Sequence, residues 1–207
     1  MRSWMRRLSL CALAALFLAG RCSASDVASA REALKKGNYA TAFKTLAPLA
    51  KQGKPEAQVL LGRMYLMGYG VLKDPAEAYE LFNAAAAKGN ADGEFYIGAR
   101  AVLTHVGLAT GLKYLRLSAE QGNQDAQLLL GQTYSTGIKG AVPRDPVKAE
   151  MWLRLAAKNN LPFYKAQLEG AERQMTPEQV AQGKALAAAW KPQHGLRPDT
   201  KPRSTRP

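Results

Sequence analysis

Between residues 55 and 90 the apolar positions fall into two stripes at helical spacing. Ala57, Leu60, Leu61, Met64 and Tyr65 recur on one face, and Pro55 suits a first-turn position, so the pattern predicts a helix from Pro55 to Met67. Gly68-Tyr69-Gly70 stops it. Asp74 then offers an N-cap with Pro75 at the first helical position, and Ala78, Leu81, Phe82 and Ala85 carry a second helix to a Gly89-Asn90 terminator. The pattern returns twice. Leu61-Gly62, Ile97-Gly98 and Leu130-Gly131 stand 36 and 33 residues apart, residues 84–90, 117–123 and 155–160 each combine small residues with a Gly or Asn terminator, and Asp145-Pro146 repeats the start at Asp74-Pro75. A repeat of this period marks a solenoid, in which each helix pair buries its apolar face only by stacking on its neighbours.

The repeats divide the chain. Residues 55–90, 91–123 and 124–160 form three units, of which the second is degenerate. Before them, residues 25–54 are expected to form a helix pair broken at Gly37-Asn38. After them, residues 161–190 supply closing helices; Thr176 and Gln179 make a capping box for the last, and Trp190 covers its interface. A glycine inside a helix costs about 1 kcal/mol relative to Ala. Its return at Gly62, Gly98 and Gly131 therefore points to close approach of the paired helix. Tyr65, Phe82, Tyr134 and Trp152 recur at positions expected to pack in the core.

The succession of Leu-Gly, Tyr, Gly-x-Gly, Asp-Pro, Ala and Ala-Ala-x-x-Gly resembles the Sel-one-like repeat (SLR), a relative of the tetratricopeptide repeat (TPR). Residues 55–90 match it nearly throughout. The second repeat departs: its inter-helix loop is shorter, Thr104 replaces the first loop glycine and the Asp-Pro start is missing. The third has a longer loop containing Lys139-Gly140. The resemblance implies an all-α fold, a right-handed α/α superhelical solenoid of TPR/SLR-type helix pairs. It also implies a non-catalytic adaptor or assembly factor that binds other proteins, in a family whose bacterial members are often exported.

The first 24 residues have a different character. Arg2, Arg6 and Arg7 precede an apolar run from Leu8 to Gly20, and small residues surround Ser23-Ala24, the pattern of a cleavable export signal. That run is too short for a bilayer span, which needs about 20 residues, so no transmembrane segment is expected after processing. Leu18-Ala19-Gly20 would suit lipid attachment at Cys22, but Arg21 intervenes and argues against it. Cleavage after Ala24 removes Cys11 and Cys22 and leaves a mature chain without cysteine, expected in the periplasm or outside the cell.

Charge follows the same division. The whole chain carries +13; without residues 1–24 it carries +9, of which the proline-rich tail 191–207 supplies +4. The remaining +5 is an ordinary solvated balance and gives no indication of nucleic-acid binding. The tail has almost no apolar residue and is expected to be a disordered basic extension.

No catalytic or cofactor constellation is visible. His105 and His194 lack partners at metal-ligand spacing, and Gly68-Tyr69-Gly70 lacks the strand that a dinucleotide fingerprint requires. Function is therefore sought on a surface. In a stack of helix pairs the first helices line the concave side, and their aligned positions vary between repeats: Arg63 with Ala99 and Gln132, and Met64 with Arg100 and Thr133. Arg63, Met64, Arg100, Gln132 and Thr133 are the candidate contacts for a protein or peptide partner. A second possibility is an envelope-associated factor held to anionic lipid or polymer by its basic tail, an attachment that salt would weaken.

Overall fold

The computed structural model describes residues 25–193. Residues 1–24 with Cys11 and Cys22, where an export signal is expected, and residues 194–207 with His194 and most of the expected basic tail, lie outside the described residues. Helix α1 covers residues 25–35. It is followed by α2 (Tyr39–Lys51), α3 (Pro55–Met67), α4 (Pro75–Ala86), α5 (Ala91–Thr104), α6 (Leu108–Glu120), α7 (Gln124–Thr136), α8 (Pro146–Ala156), a short 3₁₀ turn (Ala157–Asn159), α9 (Pro162–Glu172) and α10 (Pro177–Ala189). No strand forms among these residues; Ile138 and Val142 make one isolated bridge across the turn at Lys139-Gly140. The chain is all-α, of the α/α solenoid class.

Two compact units divide within α4, between Leu81 and Phe82. In the first, Ala42, Leu46, Leu49, Ala57, Leu60 and Met64 form the core. Phe43 meets Tyr65 edge-on at 6.4 Å. The Gly-x-Gly motif has two tasks here. Gly68 takes the left-handed conformation (φ 74°) that ends α3, and Gly70 (φ 69°) passes so close to Tyr39 that a Cβ would lie 2.5 Å from that residue's own Cβ. The loop between them seats Tyr69 on Tyr39, rings stacked at 5.0 Å.

In the second unit α5 pairs with α6 and α7 with α8, while α10 packs on α8. A Cβ on Gly98 would stand 2.8 Å from the Leu115 backbone nitrogen, and one on Gly131 would stand 2.7 Å from Leu153 Cγ. The helix axes of each pair approach closely at these two points. Gly62 is buried in α3. Gly183 serves α10 in the same way, against Val147 and Glu150 of α8. Phe82 stacks on Tyr96 at 4.1 Å, and Trp152 meets Trp190 edge-on at 6.4 Å beside Leu115, Ala119 and Leu155. Lys191–Gln193 are not free chain: the Gln193 N–H donates to the Glu120 carbonyl at 2.8 Å, so the tail's first residues are tied to the end of α6.

The helix starts follow the sequence pattern closely. Glu77 N–H donates to Asp74 Oδ1 (3.1 Å) and Lys148 N–H to Asp145 Oδ1 (2.9 Å). The same two aspartates close their inter-helix loops through backbone bonds, Asp74 N–H to the Tyr65 carbonyl and Asp145 N–H to the Tyr134 carbonyl, both 2.9 Å. Asp145→Ala is expected to lower stability by about 1 kcal/mol, the usual cost of losing an N-cap, measured by urea denaturation. The Thr176–Gln179 capping box is present in both directions.

Asn90 and Asn123 serve twice: their N–H groups close the preceding helices on the Ala85 (3.2 Å) and Ser118 (3.1 Å) carbonyls, and each begins the following helix, its Oδ1 accepting from Gly93 N–H (3.0 Å) and Ala126 N–H (2.8 Å). The preceding glycines, Gly89 and Gly122, hold the positive φ that stops the chain. Asn160 alone of the three adopts the left-handed conformation, φ 54°.

Candidate functional site

The five candidate contact residues separate by burial. Arg63 of α3 and Arg100 of α5 are exposed, and Gln132 of α7 is half-buried. Met64 is fully buried and Thr133 nearly so. Both are therefore corrected from contact residues to core residues: Met64 packs with Leu46, Leu49 and Leu60, and the Thr133 hydroxyl donates to the Leu129 carbonyl at 2.7 Å. The reason lies in α3 and α7 themselves. Residues 57–62 of α3 are buried without interruption, so the helix has elements on most sides and little face left for a partner.

In the first unit, Arg63 stands on the rim of a recess of about 300 Å³ shared with Arg31, Leu34, Lys35 and Tyr69 and backed by Leu60 and Met64. Every charged side chain lining it is cationic. In the second unit, Gln132 donates through Nε2 to Gln167 Oε1 at 2.9 Å, beside a recess of about 350 Å³ that Arg144, Gln174 and Met175 also line. Tyr164 donates its hydroxyl to Asp125 Oδ1 at 2.6 Å and so ties α9 to α7.

Two acidic residues lie away from the surface. Glu94 and Glu150 are fully buried. Glu150 and Glu172 both accept from Arg154 at 2.6 Å, and burial still pushes the Glu150 carboxyl upward against that cation. Glu94 has only the Gln121 amide, which donates to its Oε2 at 2.7 Å, and burial pushes its pKa up to about 8. The sequence contains a clue to this position. Gln58 and Gln127 each donate to the carbonyl eight residues earlier, Ala50 at 3.4 Å and Ala119 at 3.1 Å, and Glu94 stands at the same spacing from Ala86.

Among the described residues no group of three or more His, Cys, Asp or Glu could hold a metal ion, and no helix is long and apolar enough to cross a membrane. Neither recess gathers a nucleophile, a base and an anion-stabilising group.

Glycine-packed helix pairs in tandem, with loops closed by equivalent bonds at Asp74 and Asp145, define a TPR-like α/α-repeat protein. The repeats are Sel1 repeats, which match residues 55–90, 108–123 and 124–161. The chain is similar to the alginate biosynthesis protein AlgK of Pseudomonas syringae pv. tomato, 31% identical over 138 residues that cover 65% of this chain and 29% of that protein. It is also similar to AlgK of Azotobacter vinelandii, at 30% identity over 69% of this chain and 30% of that one. It thus spans about three tenths of these relatives. Among solved structures, a protective antigen of uropathogenic Escherichia coli with an SLR fold superposes with a TM-score of 0.61 at 28% identity, over 73% of this chain and 34% of the antigen. A Sel1 repeat protein from Oxalobacter formigenes gives the same TM-score at 25% identity, over 79% and 67%. Repeats of this type support a role in protein interaction.

Proposed function

We propose that this chain is an exported, non-catalytic adaptor or scaffold that holds a protein or peptide partner on the exposed positions of its repeat helices. The observation that carries this reading is the architecture: helices packed as consecutive pairs within each unit leave Arg63 and Arg100 exposed and Gln132 half-buried on helix surfaces. Export rests on the leader pattern of residues 1–24, and cleavage there would place the protein in the periplasm or outside the cell. The named relatives suggest a setting, since a matching segment occurs in proteins of alginate biosynthesis. An adaptor of this kind would serve a polysaccharide-making assembly.

The test is affinity capture from envelope extract with the leader-free protein, with and without residues 191–207, at low and moderate salt. The expected result is one discrete protein retained by both forms and lost with Arg63→Glu plus Arg100→Glu. Retention of lipid or polymer alone, dependent on the tail and abolished by salt, would overturn the adaptor reading in favour of surface attachment.

A further inference from the structure

We propose that the recess between α1 and α3 in the first unit is a docking site for a partner peptide that presents a carboxylate beside an apolar side chain. This rests on the adaptor reading and deepens it by giving the partner's chemistry.

Three features of the recess point there. First, its rim carries Arg31, Lys35 and Arg63 and no acid. Lys35 is engaged by Glu32 at 2.6 Å, whereas no carboxylate among the described residues pairs with Arg31 or Arg63. A guanidinium presents a planar fork that matches a carboxylate in two parallel bonds, so two unpaired arginines at one opening favour an anion with that shape. Second, between the cations the accessible wall is apolar: Leu34 is half-buried, Tyr69 is 41% exposed, and buried Leu60 and Met64 lie behind them. Met67 at the end of α3 and Leu72 in the connection that carries Tyr69 are 56% and 91% exposed. A ligand that is only charged would leave this wall wet. Third, the wall is mainly aliphatic, and one face of Tyr69 is already covered by Tyr39. That leaves at most one aromatic face for a sugar ring, against a wall that Leu34, Leu60 and Met64 make aliphatic, so an apolar peptide side chain fits it better than an acidic saccharide.

Charge also excludes this chain's own ends as occupants. Residues 1–24 hold four arginines and no acid, and residues 194–207 hold Arg197, Lys201, Arg203 and Arg206 against Asp199. Both would be repelled by the rim.

The experiment titrates the purified, ¹⁵N-labelled protein with the peptide acetyl-Ser-Leu-Glu-Leu-Asp-Leu-amide, whose blocked ends leave the Glu and Asp side chains as its carboxylates. Two control peptides replace its acids by Gln and Asn, or its leucines by Ser. An oligomer of uronic acid is a third control. Expected are amide shifts centred on Arg31, Leu34, Arg63 and Tyr69, and binding at least tenfold tighter than for any control. Arg31→Gln and Arg63→Gln should each weaken it about tenfold while the melting temperature stays unchanged, since both side chains are exposed. Equal binding of the serine peptide would reduce the recess to a general basic patch. Tighter binding of the uronate would make it a saccharide site, and shifts elsewhere or none would remove it; each overturns the proposal. The two readings fail separately. If the captured partner is kept by the Arg31→Gln, Arg63→Gln double variant, the recess proposal falls and the adaptor stands. If no protein is captured at all, the adaptor reading falls whatever the peptide does.

Discussion

Replacing Glu94 by Gln is expected to make the protein more stable at neutral pH and to remove most of its loss of stability between pH 5 and 8. Glu94 is fully buried in α5, and its pKa is pushed up to about 8, from an ordinary value near 4.5, chiefly by burial with Glu120 adding in the same direction. Relief is small: the neutral Gln121 amide donates one bond to Oε2, and the ionised neighbour that acts on the site, Glu120, has the same sign. A carboxyl whose folded pKa is raised keeps its proton in the native state after the unfolded chain has released it. The stability it allows is then complete below about pH 4.5 and declines as pH rises. Above about 8 it is level again at the lower value, each unit in the window costing up to about 1.4 kcal/mol. Glutamine carries no such penalty. It can accept from Gln121 through oxygen and offer its NH₂ toward Ala86, as Gln58 and Gln127 do toward Ala50 and Ala119. The expected gain at pH 7 is about 1–3 kcal/mol. Urea denaturation at pH 5, 7 and 9 checks it. A shallower slope should persist from Glu120 and Glu150, whose carboxyls are also raised by burial. An unchanged pH profile in Glu94→Gln would show that Glu94 is ionised and solvated in the native state.

This site shows where the sequence is legible and where it is not. Helix starts are local chemistry, and Asp74-Pro75, Asp145-Pro146 and Thr176-Pro177 announce α4, α8 and α10 because a cap and a fixed φ need no tertiary context. Asn90 and Asn123 have a second role that the terminator pattern does not announce, because the corner is shared: the glycine stops one helix, and the asparagine that completes the stop also caps the next. Glu94 is hidden for a different reason. A glutamate in a repeat protein suggests a solvated face, and only aligning it with Gln58 and Gln127 exposes it as a buried position.

The candidate surface meets the same limit. Charge alone places Arg63 and Arg100 outward, but pattern does not separate Met64 and Thr133 from them. In α3 and α7 the apolar and small residues extend around most of the helix, so periodicity has no clear empty face to mark. The rim of Arg31, Lys35 and Arg63 is invisible in the sequence for a geometric reason. Arg31 and Arg63 lie on different helices, and nothing local says that α1 and α3 come together at one opening.

Gly98→Leu is expected to cost more than Gly131→Leu, although the two positions are equivalent in sequence. At Gly98 an added Cβ meets backbone, 2.8 Å from Leu115 N and 2.9 Å from its Cα, so α5 and α6 must separate as whole helices. At Gly131 the nearest atoms belong to the Leu153 side chain, at 2.7 and 3.0 Å, with backbone nitrogen at 3.1 Å. A rotamer change of Leu153 can absorb part of that clash. Overpacking in a filled core costs about 1–3 kcal/mol, which suits Gly131→Leu, and Gly98→Leu should reach or exceed the upper end of that range. Helix propensity pulls the other way by about 1 kcal/mol and must be subtracted. Gly170 supplies the control, because it sits inside α9 and a Cβ added there would have nothing within 4 Å. Gly170→Ala should therefore stabilise the protein by about 0.4–1 kcal/mol. Thermal and urea denaturation of the three variants would order them, and a Gly98→Leu protein as stable as the parent would refute the close pairing of α5 with α6 on which the repeat stack depends.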